Sequence, residues 1–199
     1  MAHLERYAEL LVKWNRAVNL VSRDSLADLW RRHMLDSAQL LPLLPPAPTG
    51  RPRVVVDLGS GAGFPGLVLG ILGAGEVHLI ESNGRKVAFL REAARETGAE
   101  AHIHHARIED LPAFPADAVT ARAYAPLPQL LAGAAAFLRP AGPGQPGGVG
   151  LFLKGRGVDR ELTDSGKSWN MQIERLASRT DPNARILRFR LQGIGETRP

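Results

Sequence analysis

The sequence predicts an α/β fold: a mostly parallel sheet with helices on both faces, a helical N-terminal extension and a C-terminal β-hairpin. Three observations predict it. Short β-branched or apolar runs alternate with helical segments between residues 54 and 154. Helical periodicity alone occupies residues 3–37, before this alternation begins. Two strand-like runs joined by a proline-containing turn come after it.

Two helices are predicted at the N-terminal end. Residues 3–22 carry apolar side chains at helical spacing, so one continuous helix is expected there. A second helix begins near Asp24 or Ser25, either of which can cap it, and continues to Ser37. Prolines within residues 42–52 cannot continue a helix, so they form a stiff connector to the rest of the chain.

The central region reads as strands separated by helices, which predicts parallel strand pairing because each crossover needs a helix. The expected elements, in order, are strand 54–58, a glycine-rich turn at 59–66, helix 67–72, strand 77–81, helix 85–97, strand 101–105, strand 118–123, helix 127–138 and strand 149–154.

The C-terminal region predicts a β-hairpin. Residues 170–178 and 185–191 are strand-like, and Asp181-Pro182-Asn183 is typical of the turn between them. No internal repeat or linker divides the sequence. We therefore expect one domain over residues 1–199, with a helical extension at 1–50 and an α/β core at 51–199.

The composition excludes several classes of function. The sequence contains no cysteine, which excludes disulfides, thiolate zinc sites and cysteine nucleophiles. Its net charge of +5 suits a polyanionic partner but equally fits a solvated basic surface. The N-terminal segment does not resemble a signal peptide, and no apolar run is long enough to span a membrane. We expect a cytoplasmic protein without a metal ion or a membrane partner, and a monomer.

The motif Asp57-Leu58-Gly59-Ser60-Gly61-Ala62-Gly63-Phe64-Pro65-Gly66 follows the first strand of the core. Gly61, Gly63 and Gly66 fit the dinucleotide fingerprint G-x-G-x-x-G, but an acid and a further glycine precede them. This register is typical of the D-x-G-x-G-x-G loop of class I (Rossmann-like) methyltransferases. An acid at this point can hold the cationic end of S-adenosylmethionine, whereas it would repel a pyrophosphate.

Three further elements predict a nucleoside site at the same edge of the sheet. Glu81 ends the second strand, where a carboxylate can accept both ribose hydroxyls. Ile108 and Glu109 follow the third strand, and an apolar side chain beside an acid suits an adenine ring. Arg122 lies near the end of the fourth strand. Each feature alone is common in loops, but together they favour an adenosine-type cofactor.

The sequence resembles the glucose-inhibited division protein B family, whose members methylate a guanine N7 in small-subunit ribosomal RNA. The resemblance covers nearly the whole chain to about residue 160, and it thins beyond Lys154. It rests on Lys13-Trp14-Asn15…Asn19-Leu20, Arg32-His33-Met34-Leu35-Asp36-Ser37, the glycine motif, Leu79-Ile80-Glu81-Ser82, Arg122-Ala123-Tyr124-Ala125-Pro126-Leu127 and Leu153-Lys154-Gly155.

The resemblance implies S-adenosylmethionine as cofactor and 16S ribosomal RNA, or the small ribosomal subunit, as partner. Together with the motif it places cofactor contacts at Asp57, Gly59, Gly61, Gly63, Phe64, Glu81, Ile108, Glu109 and Arg122. Substrate contacts are expected at Asn15, Asn19, Arg32, His33 and Lys154.

Several of these residues have a purely structural alternative. His33 could belong to a polar network that locks the N-terminal helices to the sheet. Arg122 and Lys154 are candidates for positioning the reactants, but Arg122 could instead contact the methionine carboxylate and Lys154 could be a surface lysine. Trp14 and Trp30 are expected in the core.

Guanine N7 carries a free lone pair, so attack on the sulfonium methyl group needs positioning rather than a general base. The sequence lacks both the Asn/Asp-Pro-Pro-aromatic motif of exocyclic amine methyltransferases and the cysteine used in carbon methylation. The alternatives are a small-molecule methyltransferase on the same fold, a non-catalytic RNA-binding factor and, disfavoured by the register of the glycine motif, a nicotinamide-dependent oxidoreductase.

Overall fold

The computed structural model describes residues 1–122, 125–142, 146–155, 157–158, 161–162 and 170–191. In this part of the chain a single seven-stranded sheet has the strand order β3-β2-β1-β4-β5-β7-β6. The strands are β1 Val54–Leu58, β2 Glu76–Glu81, β3 Ala101–His105, β4 Ala118–Arg122, β5 Val149–Lys154, β6 Met171–Ala177 and β7 Arg185–Leu191.

The helices are α1 Ala2–Trp14, α2 Arg23–Ala27, α3 Asp36–Ala38, α4 Gly66–Ile71, α5 Gly84–Thr97 and α6 Leu127–Phe137. A π-helical stretch at Trp30–Leu35 leads into α3, and short 3₁₀ turns lie at Leu41–Leu43 and Ile108–Asp110. None of the helices within the described ranges is long and apolar enough to cross a membrane.

Strands β1 to β5 pair in parallel, whereas β7 runs antiparallel to both β5 and β6. The mostly parallel α/β fold and the terminal hairpin are thus confirmed. Because each parallel crossover carries a helix or loop back across the sheet, the carboxyl ends of β1, β2, β3 and β4 meet at one edge.

Two apolar layers cover the two faces of the sheet. On one face α1, α4 and α5 pack with the sheet around Tyr7, Leu67 and Phe89, all fully buried. On the other face α6 packs through Phe137 against a second cluster that includes Phe152. Since the N-terminal helix α1 belongs to the first layer, it is held against the same helices that follow β1 and β2.

The prediction of one helix over residues 3–22 was wrong in its second half, because α1 ends at Trp14. The Asn15 side chain explains the stop: its Oδ1 accepts from the backbone N–H groups of Leu20 and Val21, at 2.9 and 3.0 Å, and its amide donates to the Val21 carbonyl. These bonds favour a loop over further helix, as asparagine commonly does.

The second predicted helix is also interrupted. Its cap is Ser22, whose Oγ accepts from Ser25 N at 3.2 Å, rather than Asp24 or Ser25. A π-helical turn occupies Trp30–Leu35, and within it His33 and Met34 are buried. Trp30 is 44% exposed, so its prediction as a core residue was wrong, whereas Trp14 packs on Phe89 at 5.8 Å between ring centroids.

The end of the helical extension is fastened to the turn between β6 and β7. Thr180 Oγ1 donates to Asp36 Oδ1 at 2.5 Å. Gln39 Oε1 accepts from Arg179 N at 2.8 Å, and Gln39 Nε2 donates to Ser178 Oγ at 3.3 Å. Residues far apart in sequence thereby share one hydrogen-bonded junction beside the carboxyl end of β5.

Candidate functional site

The glycine-rich bend between β1 and α4 is shaped by three glycines with positive φ: Gly59 at 63°, Gly61 at 60° and Gly63 at 92°. Gly63 is constrained twice, since a Cβ there would lie 2.7 Å from Tyr7 Oη and 2.9 Å from Leu67 Cβ. A Cβ on Gly61 would meet only Gly59 O, at 3.8 Å, so the bend keeps open backbone at that point.

Asp57 anchors this bend from beneath. Its carboxylate is fully buried, with Oδ1 accepting from Thr120 Oγ1 at 2.8 Å and Oδ2 accepting from Gly66 N at 3.2 Å. Burial raises the pKa of Asp57 to about 6, although the Thr120, Ser60 and Gly66 hydrogen bonds oppose the shift. Because its side chain is fully buried, Asp57 shapes the bend instead of facing an open cleft.

Glu81 closes the bend from β2. Its Oε2 accepts from Gly61 N at 2.8 Å and its Oε1 accepts from Asn83 N at 2.7 Å. The residue is only 7% exposed, so its carboxylate is fixed in direction. Each carboxylate oxygen has a second lone pair, which leaves acceptor capacity for hydroxyl groups of a ligand.

Ile108 and Glu109 lie in the 3₁₀ turn that follows β3. A Cβ placed on Gly133 would lie 3.4 Å from both Ile108 Cγ2 and Leu58 Cδ1, so Ile108 is close to the carboxyl end of β1. Glu109 is exposed. The fold thus brings a glycine bend, the Glu81 carboxylate and an apolar side chain to one edge of the sheet. An acceptor for hydroxyl groups together with an apolar surface fits an adenosine-type ligand.

Arg122 connects this edge to the helical extension. Its guanidinium donates to Arg32 O at 3.0 Å and to His33 Nδ1 at 2.8 Å, and lies 3.5 Å from Asp36 Oδ2. It also lies over the Phe64 ring, 4.8 Å from the centroid. Burial lowers the pKa of Arg122, while Asp36 opposes the shift.

His33 stacks on Phe64 with ring centroids 4.7 Å apart. Arginine can only donate, so His33 Nδ1 accepts and the neutral ring carries its proton on Nε2. Burial, with the charges of Arg122 and Arg32, lowers the pKa of His33 to about 4, so the ring is neutral at physiological pH. His33 Nε2 is buried and has no hydrogen-bond partner, which marks an unused donor.

An open cavity of about 610 Å³ lies beside this histidine. Arg31, Arg32, Arg122 and Lys154 line it with positive charge, and Asp36 is also in its wall. Its remaining walls are Ser22, Ser25, His33, Leu153, Gly155, Thr180, Asp181, Pro182 and Ala184. The cavity is therefore built from the helical extension, the ends of β4 and β5 and the β6–β7 turn.

Lys154 lines this cavity and forms an ion pair with Glu161. Its Nζ is 2.8 Å from Glu161 Oε2 and 3.4 Å from the Ala125 carbonyl oxygen, and its side chain is 10% exposed. Glu161 Oε2 also accepts from Leu127 N at 2.8 Å. The lysine thus joins the end of β5 to the start of α6.

Comparison with known proteins gives a family. A family model described as rRNA small subunit methyltransferase G matches residues 1–183. The Ribosomal RNA small subunit methyltransferase G of Rhodospirillum rubrum is 58% identical over 186 residues, covering 94% of this chain and 88% of the relative. That of Paramagnetospirillum magneticum is 50% identical over 199 residues, covering 100% and 92%. The chain belongs to the rRNA small subunit methyltransferase G family.

Solved structures outside this family share its fold. A ribosomal protein L11 methylase from Lactobacillus delbrueckii subsp. bulgaricus aligns with a TM-score of 0.58 at 16% identity, covering 79% of this chain and 77% of that one. A magnesium protoporphyrin IX methyltransferase from Synechocystis PCC 6803 with bound SAM aligns with a TM-score of 0.59 at 14% identity, covering 94% and 89%. The class I methyltransferase fold and the family resemblance predicted from sequence are therefore confirmed.

Two predicted substrate residues of this methyltransferase G family member lie apart from the others. The Asn15 side chain hydrogen-bonds to the backbone of Leu20 and Val21 in the loop that follows α1. Asn19 is exposed in that same loop. Both line a separate concavity of about 640 Å³, which shares Ser22 with the cavity beside His33.

Two side chains that support the bend were not among the predicted site residues. Tyr7 is fully buried and its hydroxyl donates to the Ala62 carbonyl, which ties α1 to the glycine bend. Thr120 is paired in register with Asp57 and supplies the hydroxyl for its carboxylate. A tyrosine on the apolar face of a helix reads in the sequence as an ordinary core residue, so its role at the bend could not be predicted. A threonine within the apolar strand β4 could have suggested a buried polar partner. Residues 123–124 of the matched segment after Arg122 lie outside the described residues.

Proposed function

We propose that this chain is a cytoplasmic, monomeric S-adenosylmethionine-dependent methyltransferase that methylates N7 of a guanine in 16S ribosomal RNA. The observation that carries the proposal is the acid-bound glycine bend, in which Glu81 holds Gly61 N at the edge where the parallel strands end. Two further observations support it: relatives of 58% and 50% identity are named small-subunit ribosomal RNA methyltransferases, and a structural neighbour carries bound SAM.

The residues that would hold the cofactor are Gly59, Gly61 and Gly63 through their backbone, Glu81 through its free lone pairs, and Ile108 with Glu109 beside the base. Phe64 and Arg122 would close the site from the side of the helical extension. When bound, S-adenosylmethionine supplies an electrophilic methyl group on a positively charged sulfur. Asp57 would contribute its charge from below the bend, because its side chain is fully buried beneath it.

His33 and Arg122 are proposed to position the guanine. The acceptor edge of guanine consists of N7 and O6, and N7 must stay free for methylation. The unpaired N–H of His33 Nε2 is suited to donate to O6. Because Arg122 donates to His33 Nδ1, the proton of the neutral ring is on Nε2. Filling this unmet bond in a buried setting favours a base with an acceptor at that position.

Two titratable side chains of the described part of the site, His33 and Asp57, are not available as general bases, which supports methylation at N7. The His33 Nδ1 lone pair is occupied by Arg122, and the lowered pKa of His33 makes its ring a weak base. Asp57 is sealed beneath the bend. Catalysis by these residues would consist of holding the lone pair in line with the methyl group at near-attack distance.

The charged wall of the cavity is proposed to bind RNA phosphates. Arg31 and Arg32 are exposed at its rim, and Lys154 can exchange Glu161 for a phosphate oxygen. The net charge of +5 strengthens the long-range attraction to a polyanion. Arg32 and Lys154 are thus proposed as phosphate contacts, with His33 as the base contact.

The test uses the purified full chain with methyl-labelled S-adenosylmethionine and ribosomal RNA, naked or in small subunits, from a strain lacking the enzyme. We expect label in the RNA that is recovered as 7-methylguanosine after digestion to nucleosides. RNA without label, despite measured cofactor binding, would favour a small-molecule methyltransferase. RNA affinity with no cofactor affinity would favour a non-catalytic RNA-binding factor, and label on another atom would refute the N7 assignment.

A further inference from the structure

A cluster of histidines on the outer edge of the sheet takes no part in the proposed methyl transfer. It consists of Glu76 and His78 on β2 with His102 and His104 on the edge strand β3. His78 pairs in register with His102, and alternate residues of a strand share one face, so all four side chains project from the same side. Phe114 packs against His78 at 4.6 Å between ring centroids and separates the cluster from the core around α6.

The potential ligand atoms of three of these residues converge. Glu76 Oε1 lies 3.0 Å from His78 Nε2 and 3.5 Å from His102 Nε2, and all three atoms lie within 4.8 Å of one another. A tetrahedral ion with bonds of about 2.0–2.1 Å needs ligand atoms roughly 3.3 Å apart. The two shorter separations bracket that value before any side chain moves.

We propose that Glu76, His78 and His102 bind one divalent transition-metal ion of the zinc class. Two imidazoles with one carboxylate suit Zn²⁺, Co²⁺ or Ni²⁺, whereas Mg²⁺ and Ca²⁺ require oxygen ligands. The side chains of His102 and Glu76 are 59% and 37% exposed, so the ion has an entry path and a fourth position open to water. The site departs from the expectation of no metal, which rested chiefly on the absence of cysteine.

His104 supplies the supporting hydrogen bond that such a site needs. Its Nε2 lies 2.9 Å from His78 Nδ1, so His78 can bind the ion through Nε2 and donate its remaining N–H to His104. This bond fixes the orientation of the His78 ring, which also packs on His102 with ring centroids 4.7 Å apart.

The location indicates a structural role for the ion. Glu76 begins β2 and Glu81 ends it, and His78 is paired with His102, so the three ligands lie roughly 10 to 16 Å along the strands from the cofactor edge at about 3.3 Å per residue. An ion there would join the edge strand β3 to β2. It would therefore stabilise the sheet without touching the reacting atoms.

The experiment titrates chelator-treated full-length protein with Zn²⁺ by calorimetry and with Co²⁺ by visible absorption. We expect one ion per chain, tetrahedral cobalt bands, and a rise in melting temperature of about 5 °C or more at a hundredfold excess over Kd. His102→Ala and Glu76→Gln each remove one ligand from an exposed side chain, so both variants should fold. Each should weaken Zn²⁺ binding at least about tenfold.

His105→Ala is the matched control, because His105 is an exposed histidine on the same strand whose Nε2 faces the Ser82 carbonyl oxygen instead of the cluster. Its affinity for Zn²⁺ should equal that of the parent protein. Absence of Zn²⁺ and Co²⁺ binding at millimolar concentration would overturn the site. So would affinity in the His102 and Glu76 variants equal to that of the control, since the ion would then be held elsewhere.

Discussion

Replacing Asp57 with asparagine removes a buried charge while keeping the shape of the side chain. Burial moves the pKa of Asp57 from an ordinary 3.8 to about 6 in the folded protein. A raised pKa means that the folded state holds the proton more tightly than the unfolded chain does. The contribution of Asp57 to stability is therefore greatest below pH 3.8 and is lost as pH rises through about 6, in total by about 3 kcal/mol for a difference of roughly two pH units.

Asparagine does not titrate in this range, and its amide can satisfy both partners. Its oxygen can accept from Gly66 N, and its NH₂ group can donate to Thr120 Oγ1, which accepts as readily as it donates. We expect the Asp57→Asn protein to match the parent near pH 4. Near pH 7 it should exceed the parent in free energy of unfolding by up to about 3 kcal/mol.

Urea unfolding of both proteins at several values between pH 4 and pH 7.5 measures this difference. The lowered pKa of His33 also makes stability depend on pH, but that contribution is common to both proteins and cancels in the difference. Parallel pH profiles for the two proteins would refute the reasoning. Cofactor affinity, measured on the same samples, is expected to fall, because the asparagine no longer places a negative charge below the bend.

Three other substitutions test the bend, the base contact and the phosphate contact. Gly63→Ala should destabilise the chain by about 1–3 kcal/mol in urea unfolding and more than Gly50→Ala, whose φ is also positive but whose Cβ would meet nothing; equal losses would contradict the contact argument. On the proposed function, His33→Ala should slow methyl transfer at least about tenfold and leave the cofactor Kd unchanged. A loss of activity explained entirely by weaker cofactor binding would disprove the base contact. Lys154→Met should weaken RNA binding and reduce the slope of log K against log salt by about 0.7, and an unchanged slope would exclude a phosphate contact.

Hydrophobic periodicity was sufficient to predict the sheet and most helix positions. Apart from Asp57 and Lys154, the runs 54–58 and 149–154 are apolar because both faces of their strands are covered, and this pattern is visible without coordinates. The failures came where a local polar interaction outweighs periodicity. Asn15 stops α1 with three hydrogen bonds to its own loop, and no apolar count over residues 3–22 can register them.

The identity of the site residues was easier to predict than the direction of their side chains. Asp57 was selected by its place before the glycines, but its burial depends on Thr120, a partner 63 positions away. His33 was selected by resemblance, yet the assignment of its proton to the unpaired Nε2 follows from the Arg122 contact to Nδ1. Such directions result from tertiary packing, which a linear pattern does not encode.

The hydrogen-bonded junction of Asp36 and Gln39 with the β6–β7 turn determines when the cavity can form during synthesis of the chain. Thr180 of the β6–β7 turn emerges from the ribosome long after the N-terminal helices. The cavity beside His33 therefore cannot be complete until the β6–β7 hairpin has been synthesised. The glycine bend can form earlier, because its supporting residues Tyr7, Glu81 and Thr120 all precede the hairpin in sequence. On the proposed function, RNA binding would then require the β6–β7 hairpin, and a chain shortened before residue 171 should lose RNA binding in a titration.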